Sequence, residues 1–94
     1  MSPDQLENFH DSLLRVLDRN SSQRFGYGVT TLLNFVREFG YTNITVAQLE
    51  AAMAYLEDKE IGFVELVNKG QFNPANRCWK ITARGINHLR ERGF

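Results

Sequence analysis

The 94-residue sequence predicts a single α+β domain spanning residues 1–94, mostly helical, with a three-helix core, a β-hairpin and a closing helix. Three observations predict it. Capping signals precede apolar residues at helical spacing in Ser2-Pro3-Asp4-Gln5 and again in Thr45-Val46-Ala47-Gln48. Two β-prone runs, FVELV at 63–67 and CWKI at 78–81, flank the ten-residue polar stretch NKGQFNPANR. The second run then leads through Thr82 into a short helical pattern.

Taken in order, the first helix begins with a serine cap, a proline at the first helical position and Gln5 three residues after the cap. Leu6, Phe9, Leu13, Leu14, Val16 and Leu17 follow at helical spacing, spread over about 160° of the wheel, wider than the stripe one core requires. That width fits either edge coverage of a small domain or a dimer interface. Asn20 to Gly28 breaks the helix, and Phe25 and Tyr27, alternating with Gly, form a short strand able to pair with the later hairpin. Val29, Leu32, Leu33, Phe35, Val36 and Phe39 define a second helix that Gly40 stops. After a short turn, the third helix starts at the Thr45–Gln48 capping box and runs to about Lys59, with Val46, Leu49, Met53 and Leu56 facing inward. Helix, short turn, helix is a helix-turn-helix arrangement.

In CWKI, alternation puts Trp79 and Ile81 on one face and Lys80 on the other. Thr82 then caps a helix reading ITARGINHL. This ending is similar to the L-T-x-x-G-x-x-x-L signature that closes the wing in many small bacterial or phage winged-helix regulators, with Ile81, Thr82, Gly85 and Leu89 at its positions. AYLEDKEIGFVEL likewise resembles the L-x-x-K-G-L-V exit of their recognition helices, although Glu60 and Ile61 lengthen the turn. The resemblance covers residues 28–90 or so and implies a winged helix-turn-helix fold. It also implies a non-enzymatic DNA-binding protein, a transcriptional regulator whose third helix enters the major groove while the hairpin touches the backbone.

Charge distribution modifies that expectation. Net charge is zero, yet residues 1–60 hold five Lys or Arg against nine Asp or Glu, and residues 61–94 hold six against two. A basic face therefore belongs to the back of the chain. No Lys or Arg lies between Glu38 and Asp58, and the outward face of helix 3 reads Ala47, Ala51, Ala54, Tyr55 and Asp58, flanked by Glu50 and Glu57. Such a helix fits phosphates poorly. Its N-terminal turn is better suited: Thr42, Asn43, Thr45 and Gln48 are short polar groups beside a helix N-terminus, unless the capping box occupies the last two. The hairpin supplies Lys69, Gln71, Asn73, Asn76, Arg77 and Lys80 as candidate contacts, with Arg84, Arg90 and Arg92 behind them. The plainer account of these charges is a solvated hairpin and helix. Double-stranded DNA is the expected partner, met first by the hairpin, and a homodimer joined through helix 1 and/or the C-terminal helix is expected to read two half-sites. The alternative is a winged helix used for protein–protein contact or dimerisation, since an alanine-rich helix 3 packs closely and helix 1 or the C-terminal helix can join two copies.

Other chemistry is not indicated. His10 and His88 stand apart from any Cys or acid at metal-ligand spacing, and no phosphate loop, Ser-His-Asp motif or paired carboxylates occur, so neither cofactor nor enzyme is expected. Glu57, Asp58 and Glu60 simply solvate the end of helix 3. Cys78, the single cysteine, forms no internal disulfide, which suits a reducing cytoplasm. The N-terminus lacks a signal-peptide pattern, and no apolar run reaches the roughly 18 residues of a membrane span.

Overall fold

The computed structural model describes residues 2–19, 26–67 and 77–94. Among them the order is α1 (Pro3–Arg19), β1 (Tyr27–Gly28), α2 (Val29–Glu38), α3 (Val46–Glu57), β2 (Val64–Leu66), β3 (Cys78–Ile81) and α4 (Ala83–Glu91). The protein is a mostly helical α+β domain with four helices and one small antiparallel sheet. Strand order is β1-β3-β2, with Tyr27 opposite Trp79 and Val64 opposite Ile81. Phe25, proposed above for the first strand, lies outside the described residues.

α1, α3 and α4 start at side-chain caps, whereas α2 begins at Gly28 with no side-chain cap. The Gln5 amide N–H donates to Ser2 Oγ at 3.3 Å, and the Ser2 N–H donates back to Gln5 Oε1 at 2.9 Å. The α3 box is equally complete: Gln48 N–H to Thr45 Oγ1 at 3.2 Å and Thr45 N–H to Gln48 Oε1 at 3.0 Å. α2 ends at Glu38, with Phe39 as its C-cap and Gly40 directly after.

The core joins all the helices to the sheet. Phe9, Leu13, Leu14, Leu32, Val36, Leu49 and Met53 are fully buried, and Trp79 is 3% exposed. Burying a side chain of this size contributes about 1.5–3 kcal/mol. The wide apolar arc of α1 is consumed within the chain, because α1 packs on α2, α4 and β3 together. Leu6, at the start of that arc, is 43% exposed. In α3, Ala52 rather than Val46 completes the inward stripe. Val46 is 46% exposed because it opens the helix in a turn whose neighbours Thr45, Ala47 and Gln48 all face solvent.

α3 stops at Glu57, earlier than its sequence pattern extends, with Asp58 as C-cap. The two additional residues of the exit make a closed turn, in which the Ile61 and Gly62 N–H groups both donate to the Asp58 carbonyl. β2 is correspondingly short. Phe63 sits outside the ladder: its N–H donates to the Leu56 carbonyl of α3 at 3.0 Å, and its carbonyl accepts from Thr82 N–H at 3.0 Å.

Closing helix α4 sits directly on this residue. Thr82 Oγ1 accepts from Gly85 N–H at 3.2 Å and donates to the Gly62 carbonyl at 2.6 Å. A Cβ at Gly85 would overlap the Phe63 carbonyl oxygen and lie 2.7 Å from Ile81 Cγ1. Two effects therefore compete in Gly85→Ala. Helix propensity alone favours alanine by about 1 kcal/mol, whereas overpacking against backbone costs roughly 1–3 kcal/mol. We expect net destabilisation in urea unfolding; a stabilised Gly85→Ala protein would contradict the close approach of α4 to Phe63.

Candidate nucleic-acid interface

α3 presents its small-residue face to a concavity shared with the base of the hairpin. Ala47, Ala51 and Ala54 form one side, and Arg77 and Trp79 the other, around a volume of about 400 Å³. The sequence alternation that buries Trp79 also aims its indole at α3, where Nε1–H donates to Glu57 Oε1 at 2.7 Å. Glu57 is therefore a structural acceptor rather than a solvating charge at the helix end. Glu50 and Glu57 are both half-buried, so two of the acids that counted against DNA are partly withdrawn from solvent. Arg77 is half-buried beside them, and its Nε has no hydrogen-bond partner among the described residues.

The remaining candidate contacts fall into three groups. Thr42 and Asn43 are exposed just before α3. Thr45 and Gln48 are exposed too, but their side chains are engaged in the capping box, so they are structural first. Lys80 is half-buried and opposite Glu65 in the β2–β3 register. Lys69, Gln71, Asn73 and Asn76 lie outside the described residues, as does Phe72.

One functional-looking cluster is invisible to sequence spacing. Asp11, in the middle of α1, is 2% exposed. His88 Nε2–H donates to its Oδ1 at 2.8 Å and Arg92 Nε–H donates to its Oδ2 at 2.9 Å, from 77 and 81 residues away. Arg92 also pairs with Glu7 at 2.9 Å. This corrects two expectations. His88 does meet an acid, and Arg92 is committed to α1 rather than free for phosphate. Each Asp11 oxygen thus accepts from a residue at the C-terminal end of the chain, which fastens α4 onto α1. Among the described residues, no group of three or more His, Cys, Asp or Glu is arranged to hold a metal. Likewise, no helix of the described residues is long and apolar enough to cross a membrane.

The second histidine behaves differently. His10 stacks on Tyr55 with ring centroids 4.8 Å apart and 16° between planes. Burial lowers its pKa from the ordinary 6.5, outweighing the opposing pull of Asp11 and Glu7.

Compared with protein-family models, curated proteins and solved structures, the chain matches none. Function must therefore be argued from these surfaces alone.

Two outcomes follow from the polar contacts. Asp11→Ala should cost about 1–3 kcal/mol in urea unfolding, less than the roughly 3–5 kcal/mol of a fully enclosed pair. The difference arises because His88 and Arg92 side chains are 24% and 37% exposed and can turn to water. For His10, the unfolded chain takes up the proton first as pH drops below 6.5. Its contribution to stability is then complete above that value and lost as pH falls through the lower folded pKa. The Tm of the wild type should drop more steeply than that of His10→Gln between about pH 7.5 and 5; parallel curves would contradict a desolvated imidazole.

Proposed function

We propose that the chain is a winged-helix DNA-binding protein, acting without enzymatic chemistry as a transcriptional regulator, with the hairpin leading the contacts. The order α1-β1-α2-α3-β2-β3-α4 and the sheet order β1-β3-β2 support the winged-helix assignment. A single observation carries the function: the exposed face of α3 and the hairpin-base residue Arg77 line one concavity. That concavity sets α3 beside one cationic residue at the base of the hairpin, which supports groove binding with flanking backbone contacts. Glu57, hydrogen-bonded to Trp79, opposes a phosphate less than a free carboxylate would.

A second use of the same surface is favoured by one feature. The exposed α3 residues Ala47, Ala51, Ala54 and Tyr55 include no cation, which suits close packing on a protein partner or a second copy.

Fluorescence anisotropy with mixed duplex DNA tests the first proposal. With about four phosphate contacts, log K should fall against log[salt] with a slope near −3.6. Lys69→Glu should weaken binding by at least about 10-fold, whereas Ala51→Arg on α3 should preserve or strengthen it. Absence of binding at about 50 mM salt would refute DNA recognition. Loss of self-association or partner capture in Ala51→Arg, with Lys69→Glu behaving as wild type, would favour protein contact instead.

A further inference from the structure

A larger hollow lies on the other flank of α3. α1 packs on α2, α4 and β3, and α3 packs on α2 and β2, while α1 and α3 meet through the His10–Tyr55 stack. Between them is a space of about 670 Å³, within the range of roughly 300–1,000 Å³ typical of ligand pockets. Core residues Phe9, Leu14 and Leu56, each at most 1% exposed, lie behind its floor.

Its walls are aromatic. His10 stacks on Tyr55, and Phe63 stacks on His88 at 4.5 Å with 24° between planes. Tyr55 is 51% exposed, so its ring is accessible to an occupant. The acids in the lining, Glu7 and Asp11, are both paired with Arg92, and Asp11 also with His88. An occupant therefore meets no uncompensated carboxylate. His10 makes no hydrogen bond to a described residue, and its desolvated ring is neutral at pH 7, presenting one donor and one acceptor nitrogen.

We propose that this hollow binds an uncharged, planar heteroaromatic molecule, its ring lying along the His10–Tyr55 and Phe63–His88 pairs and a ring heteroatom hydrogen-bonding to His10. A charged ligand would lose hydration against apolar walls without gaining a counter-ion. A purely apolar one would leave the imidazole nitrogens unsatisfied. The hollow shares Ala51 with the hairpin-side concavity and Tyr55 with the exposed face of α3, but its ring and hydrogen-bond contacts come from α1, Tyr55, Phe63 and His88 rather than from the hairpin.

The test is titration of the ¹⁵N-labelled protein with indole, tryptamine and indole-3-acetate, which share a ring but differ in charge. Indole should shift the amide resonances of Leu6, His10 and Tyr55 and bind at least about 10-fold more tightly than either charged analogue. His10→Phe, which keeps a stacking ring but removes the nitrogens, should weaken indole about 5-fold. Tyr55→Ala changes an exposed side chain and removes one wall, so it provides the same readout in a variant expected to keep its fold. Each variant is checked by thermal melting. The proposal is overturned if indole produces no shifts at millimolar concentration, or if its shifts fall elsewhere. It is equally overturned if the charged analogues bind as well, or if neither variant alters affinity. Sedimentation as a dimer that Tyr55→Ala dissociates would also overturn it, by identifying a second copy as the occupant.

Discussion

Much of the molecule is held together through the backbone and ring of Phe63. Its N–H bonds to the last turn of α3, its carbonyl to the residue that caps α4, and its ring stacks on His88. These contacts work only because Gly85 lets α4 come down onto the Phe63 carbonyl without a Cβ between them. Two helices, α3 and α4, thereby share one residue. Loosening either one exposes the other, which is how a domain of this size remains cooperative on a small core.

The second fastening is polar. Asp11 is nearly inaccessible, and its cost of burial is offset only because both oxygens receive charged or polarised donors from α4. The effect reaches the electrostatics of the whole surface. Arg92 and Glu7 neutralise one another, so the contrast between an acidic front half and a basic back half is smaller in the fold than along the chain. What remains of the basic face must come from the hairpin and the exposed side of α4.

α3 separates two concave surfaces of different character. One is shared with the hairpin base and holds Arg77 among half-buried carboxylates; the other is shared with α1 and is apolar and aromatic. A helix with small residues on its open face can serve both, because alanines keep the neighbouring surfaces accessible. Ala51 lines both surfaces, and its small side chain leaves room on each side.

Most of the fold was legible in the sequence because its signals are local. Capping boxes, the short strand at Tyr27–Gly28, the strand CWKI and the cap at Thr82 each depend on residues within a few positions, and all appear where expected. The exit of α3 was placed too late, since its end is decided by Asp58 and Phe63 contacts rather than by helical periodicity. Val46 and Leu6 illustrate the same limit: apolar spacing identifies a face, but neighbouring elements decide which end of that face is covered. The candidate site was less legible. Thr45 and Gln48 could be read both as caps and as contacts, and only side-chain geometry assigns them to the cap. Asp11 with His88, Trp79 with Glu57 and His10 with Tyr55 join residues 77, 22 and 45 positions apart. No spacing rule reaches that far. Sequence by itself determined the elements, because helices and strands obey short periodicities; tertiary structure alone decided which polar and aromatic groups meet, because those meetings depend on how finished elements pack.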